Sequence, residues 1–293
     1  MHVFVTGGTG LIGTAVIAEL LGNGHTVLAL TRSEASTLAA ETAGAEPLPG
    51  GLTDLNALRT GAARADGVIH LAFSNDFSSP EALARAVEEE SAALRTLGEE
   101  LTGSNRPFVT VSGTPWVPGR VSTETDPLPT DGPVGGRGRA VTAILDLASH
   151  GVRSTAVRLP RTVHNEGRGG FAGLLTDIAR RTGVSGYPGD GLQRWPAVHA
   201  RDAATLFRLA LEQAPAGSAW HAVADEGDAV RDLATVIGRR LGLPVEAVPA
   251  ETYGPLAPIF SADQPASSAY TRAALGWQPK HPSLLRDLEL IEP

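Results

Sequence analysis

The sequence predicts an α/β fold, a doubly wound parallel sheet with a smaller C-terminal substrate subdomain, and three observations predict it. Short apolar runs alternate with helical segments from residue 1 to about 160. The first run enters a glycine-rich turn that opens directly into a helix. The regularity then weakens after Pro160 and returns only in isolated helical stretches. At 293 residues, 42% hydrophobic and 19% charged, the chain is long enough to bury a large core.

Taken in order, strands are expected at His2 to Thr6, Thr26 to Leu30, Gly67 to Leu71, Pro107 to Val111 and Thr155 to Leu159. Helices are expected at Leu11 to Leu21 and near 53 to 63, 80 to 102 and 137 to 150. Right-handed crossovers then put helices on both faces of the sheet. Glycine, proline and aromatic residues concentrate from Arg161 to Pro196, which reads as loop-rich substrate territory. Helical periodicity resumes at Ala203 to Leu211 and Val230 to Leu241, and prolines interrupt Pro244 to Pro265. The expected division is a core of 1–163 with 198–223, and a substrate-binding subdomain of 164–197 with 224–293.

A formal net charge of -8 and the lack of any basic tail argue against a nucleic-acid or anionic-membrane partner. No apolar run reaches the length of a membrane span, and the apolar N-terminus is broken by Gly7, Gly8, Gly10 and Gly13, which reads as strand and turn rather than leader. There is no cysteine, so thiol chemistry is excluded and a cytoplasmic location is expected. Histidine spacing offers no metal site. Oligomeric state is not specified.

The first strand runs into Thr6, Gly7, Gly8, Thr9, Gly10, Leu11, Ile12, Gly13. Gly7 permits the tight turn, Gly10 lets backbone amides approach a pyrophosphate, and Gly13 lets the helix pack on the strand. The helix N-terminus then faces the anion. This is the order of a Rossmann-type dinucleotide site. Where an acid would meet the ribose hydroxyls of NAD, the second strand ends in Thr31, Arg32, Ser33. A guanidinium suits a 2'-phosphate, so NADPH (NADP+) is the expected cofactor, with NADH as the alternative.

On this motif the chain resembles the extended short-chain dehydrogenases/reductases. Asp66 to Phe73 is similar to that family's fourth strand, and Gly151 to Val163 to its sixth strand and following turn. The resemblance implies that Leu71, Ala72 and Phe73 line the cofactor and that Pro160 and Val163 pass the nicotinamide. It also places Gly50, Gly51, Leu52 where the family has Gly-Asp-Leu, so Leu52 faces the adenine without the family's aspartate.

The family's proton donor is a tyrosine with a lysine four residues later. Here the tyrosines are Tyr187, Tyr253 and Tyr270, followed four residues on by Gly191, Ala257 and Ala274, and the one lysine is Lys280. The segment where the motif belongs reads Pro133, Val134, Gly135, Gly136, Arg137, Gly138, Arg139. Either Arg137 or Arg139 would replace the lysine's charge. The family's assisting hydroxyl corresponds to Thr114, with Ser112 nearby; both also read as turn hydroxyls at a strand end.

Trp116, Trp195 and Phe73 would wall an apolar cleft or belong to the core. His164 would reach a substrate oxygen or be a solvated loop residue. Asp202 reads as a helix N-cap, and Glu88, Glu89, Glu90 as a solvated helix face. Reduction of a carbonyl needs only a donor for the developing alkoxide. The expectation is therefore an NADPH-dependent ketoreductase acting on an aromatic ketone, as in atypical family members that tailor polyketides. The rival is a non-catalytic NADP(H) sensor of the NmrA-like branch.

Overall fold

A computed structural model describes residues 1–74, 79–132 and 135–292. Pro133 and Val134, part of the segment where the tyrosine-lysine motif would sit, lie outside the described residues. Seven parallel strands form the main sheet in the order β10-β6-β5-β4-β1-β2-β3. They are β1 (His2–Thr6), β2 (Thr26–Thr31), β3 (Glu46–Pro49), β4 (Gly67–His70), β5 (Pro107–Gly113), β6 (Arg153–Leu159) and β10 (Ser218–His221). The central strands are almost wholly buried, as expected for strands covered on both faces.

On one face α1 (Leu11–Gly22) and α7 (Ala200–Gln213) supply Val16, Ile17, Leu20, Leu206 and Phe207 to a core with Val3, Val5, Ile69 and Val109. α2 (Glu34–Thr42) adds Ala40. On the other face α3 (Leu55–Arg64), α4 (Pro80–Leu101) and α5 (Gly135–Asp146) bring Leu58, Leu94, Leu97 and Ile144 against Phe4, Leu28, Val68 and Phe108. The alternation of Val3 and Val5 with Phe4 between the two cores is the period-2 geometry of a strand. α2 and β3 extend the expected pattern.

The segment from Arg161 to Pro196 is not the loop that its composition predicts. It holds β7 (Thr162–His164), α6 (Gly170–Thr182), β8 (Ser185–Pro188) and the start of β9 (Arg194–His199). Leu175 and Ala179 give α6 a buried stripe that its glycine-rich entry disguises. β7 pairs with β9, which pairs antiparallel with β11 (Asp225–Ala229). β8 pairs with β12 (Val245–Val248), and α8 (Val230–Leu241) packs beside them. Short helices α9 (Ala257–Phe260), α10 (Ala269–Leu275) and α11 (Leu284–Asp287) follow. A third core gathers Trp195, Phe260, Tyr253, Leu233, Ile237 and Leu284, with Trp195 and Phe260 edge-to-face at 5.2 Å. Among the described residues no helix is long and apolar enough to cross a membrane.

Candidate functional site

A groove runs across the C-terminal ends of the strands, formed by two adjoining cavities of about 570 and 460 Å3 that share Gly7, Gly10, Leu71 and Phe73. The larger is lined by Thr9, Leu30, Arg32, Ser36, Gly50, Gly51, Leu52, Thr53, Ala72, Ser74 and Glu89. The smaller is lined by Leu11, Ile12, Gly13, Val111, Ser112, Gly113, Arg137, Leu159, Pro160, Arg161, Val163, Gly169 and Gly170. Of the residues expected to meet the cofactor, only Ser33 stands outside this lining. Its hydroxyl accepts from Ser36 N at 3.2 Å and caps α2, while Arg32 faces the groove.

The glycines divide their labour. Gly7 has φ +71°, and a side chain there would meet the Ala72 backbone at 2.8 Å. A Cβ on Gly13 would lie 2.1 Å from the Gly7 carbonyl oxygen. Gly10, by contrast, has an ordinary extended backbone, and its Cβ would meet only the Gly7 carbonyl oxygen, at 3.6 Å. Its bareness keeps the groove open rather than the fold together. α1 has no side-chain cap, so its first amides are left for an anion in the groove. These features fit a dinucleotide pyrophosphate.

Thr6 builds the wall beside the turn. Its hydroxyl accepts from Leu71 N and Ala72 N, both at 3.3 Å, and donates to His70 Nδ1 at 2.9 Å. Burial, and after it the charge of Arg137, pushes the His70 imidazole down to about 3, so the ring stays neutral and acts as acceptor. This network, which the sequence did not announce, directs Leu71 to Phe73 into the groove.

At the other end, Arg137 rather than Arg139 lines the groove; Arg139 bonds the Thr130 carbonyl instead. The Arg137 guanidinium lies 4.0 Å from the centroid of the Phe73 ring and grips Glu90. Glu90 is 1% exposed, which corrects the reading of Glu88 to Glu90 as one solvated face: Glu88 is exposed, but Glu90 turns inward. Ser112 lines the groove, and its hydroxyl is buried without a partner among the described residues. Thr114 is buried beyond that lining, tied through its amide to the Leu159 carbonyl at 2.9 Å and through its carbonyl to Gln264 Nε2 at 2.7 Å. Its Oγ1 also has no partner among the described residues.

The three residues expected at the substrate end all lie outside the groove lining: Trp195 takes its core alternative, and the expectations for Trp116 and His164 are corrected. Trp195 is wholly buried in the third core, because its large apolar surface is covered by Phe171 and Phe260. Trp116 is 57% exposed and outside the groove lining, its indole N–H donating to the Asp263 carbonyl at 2.9 Å. His164 is neither solvated nor at the groove: it is buried, with Nδ1 3.0 Å from Asp287 Oδ2. Asp202 is not the N-cap of α7, which is His199. It accepts from the amides of Lys280 and His281 at 2.9 and 3.0 Å, and so ties the C-terminal segment to the helix. None of the three tyrosines lines either cavity: Tyr253 is buried in the third core, Tyr270 stacks on Trp220, and Tyr187 lies on β8.

The sequence from residue 3 to residue 223 matches the NAD dependent epimerase/dehydratase family. The chain belongs to that family. It is 42% identical over 294 residues to uncharacterized protein C2A9.02 of Schizosaccharomyces pombe, covering 98% of each chain. Over 100 residues, 34% of this chain and 28% of the other, it is 34% identical to the 4-hydroxy-2-methyl-3-oxo-4-farnesyl-3,4-dihydroquinoline-1-oxide ketoreductase of Stigmatella aurantiaca. The fold is similar to that of the UDP-glucose 4-epimerase of Thermotoga maritima, with TM-score 0.79 and 22% identity over 99% of this chain and 97% of that one. Such family members are broadly oxidoreductases and epimerases that use a nicotinamide dinucleotide.

Proposed function

We propose that this family member is an NADPH-dependent ketoreductase that reduces a carbonyl on an aromatic, polyketide-like small molecule without the usual tyrosine and lysine. One observation carries the reading: the groove wall at the ends of β5 and β6 presents Ser112, Arg137 and Arg161 and, among the described residues, no tyrosine or lysine. Removing a proton from an alcohol needs a tuned base, which this wall lacks; reducing a ketone needs a donor to the oxygen that becomes an alkoxide. The partially matching Stigmatella aurantiaca protein is itself named a ketoreductase.

In this reading Gly7, Gly10 and the amides of α1 hold the pyrophosphate, and Arg32 holds the 2'-phosphate. Leu71, Phe73, Pro160 and Val163 flank the nicotinamide. When bound, the reduced cofactor supplies hydride. Ser112 Oγ donates to the substrate carbonyl, and Arg137, its charge paired with Glu90, offers its remaining N–H groups as hydrogen-bond donors beside the ribose. The proton comes from the substrate's own phenol adjacent to the ketone, or from water. A second reading, a non-catalytic NADP(H) sensor, rests on the same missing tyrosine. Cofactor oxidation in the presence of a panel of aryl ketones tests the choice: turnover supports the ketoreductase, and cofactor binding without turnover across the panel supports the sensor.

A further inference from the structure

Arg161 directly follows Pro160 at the end of β6 and lines the groove, yet no carboxylate is bonded to it among the described residues. Its Nη2 donates to the amide oxygen of Gln264, whose own Nε2 is committed to the Thr114 carbonyl. Its Nε is withdrawn from solvent and has no acceptor among the described residues. The guanidinium sits 5.2 Å from the Phe171 ring centroid and 5.9 Å from that of Trp195. Asp263, beside Gln264 in the chain, is consumed by Arg194, with Oδ1 and Oδ2 at 3.0 and 2.8 Å from Nε and Nη2.

The other arginine of this wall, Arg137, is neutralised by Glu90. Arg161 therefore sets the charge at this end of the groove. Burial pushes its guanidinium down to about 10, and at neutral pH it remains charged. A cation largely withdrawn from water, backed by aromatic faces and without an ion partner among the described residues, is costly to hold and is relieved when an anion enters.

We propose that Arg161 is an anion subsite of the substrate cleft, and that the ketone this protein takes carries a carboxylate. This rests on the reading of the groove as a ketone site. The planar fork of a guanidinium matches a carboxylate in two hydrogen bonds, and the Phe171 and Trp195 rings behind it hold the fork in one orientation. The Gln264 bridge couples that orientation to the backbone of Thr114, two residues past Ser112.

The test is calorimetric titration of the cofactor-saturated full chain with para-acetylbenzoate and with its uncharged amide. The acid is expected to bind at least about tenfold more tightly, in line with a hydrogen bond to a charged group. Arg161→Met is expected to erase the preference, Arg161→Lys to keep part of it, and neither to change cofactor affinity. Equal binding of the two probes, no binding of the acid at millimolar concentration, or a preference that survives Arg161→Met overturns the subsite. So does a parallel loss of cofactor affinity, which would make the anion the cofactor's own phosphate. Because the readout is binding, the two readings fail separately. Tight, Arg161-dependent binding of an acid that is never reduced removes the ketoreductase and leaves the subsite. Reduction of acid and amide with equal affinity does the reverse.

Discussion

Arg137 meets Glu90 through two hydrogen bonds, Nε to Oε2 at 2.6 Å and Nη2 to Oε1 at 2.7 Å, and so joins α5 to α4 at the edge of the groove. Glu90 is almost wholly buried, whereas Arg137 keeps about a quarter of its side chain exposed, toward the groove. Removing the arginine alone leaves a buried carboxylate without a counter-charge. Arg137→Met is expected to cost about 3–5 kcal/mol of stability, and Arg137→Met with Glu90→Gln to recover most of it. Denaturant unfolding of the three proteins measures this; additive losses would show that the pair is not a unit.

The glycine turn predicts opposite outcomes at two positions three residues apart. Gly10→Val is expected to leave the fold intact and to abolish dinucleotide binding, because the added side chain enters only the groove. Gly13→Val is expected to unfold the chain or lower its melting temperature severely, since its Cβ would collide with the Gly7 carbonyl. Circular dichroism melting beside cofactor titration separates them. Retained binding in folded Gly10→Val would sink the assignment of the turn.

Arg32 lines the cavity with Ser36 and Thr9 at the end of β2. NADPH is expected to bind more tightly than NADH. Arg32→Ala is expected to weaken NADPH by roughly 10- to 100-fold, the worth of a charge-assisted hydrogen bond, with little effect on NADH. Equal affinities in the unmodified protein would remove the basis for NADPH.

Asp228 provides a pH test outside the groove. Burial, and then the neighbouring Asp225 and Asp232, pushes its carboxyl up to about 6 from 3.8. The folded chain therefore holds the proton more tightly than the unfolded chain. The stability this confers is fully present below about 3.8 and is lost as pH rises through about 6. Asp228→Asn, which cannot ionise, is expected to raise the melting temperature at pH 8 more than at pH 4. The same shift at both pH values would mean that ionisation of Asp228 is irrelevant.

The proton donor separates by rate. If Ser112 polarises the carbonyl, Ser112→Ala is expected to lower kcat by roughly a hundredfold or more at little change in cofactor affinity. If the substrate's own phenol supplies the proton, its methyl ether is expected to bind comparably and react far more slowly. Equal rates for phenol and ether at equal occupancy would return the task to Ser112, Thr114 or water.

By itself the sequence determined what depends on local backbone constraint. The strand, the turn through Gly7, Gly10 and Gly13, and the helix after it are fixed by steric requirements within a dozen residues. The alternation that follows fixes a parallel sheet. Composition misled where glycines and prolines punctuate real elements, so α6 read as loop until Leu175 and Ala179 were buried against the third core. What only the tertiary structure decided is which side chains share the groove. Glu90 and Arg137 are 47 residues apart, and Arg161 and Gln264 are 103 apart. Whether Glu90 is solvated, Trp195 is a wall or core, and Arg161 has an ion partner depends on segments that only packing brings together. Charge and burial at these positions belong to the assembled neighbourhood, and no spacing along the chain encodes them.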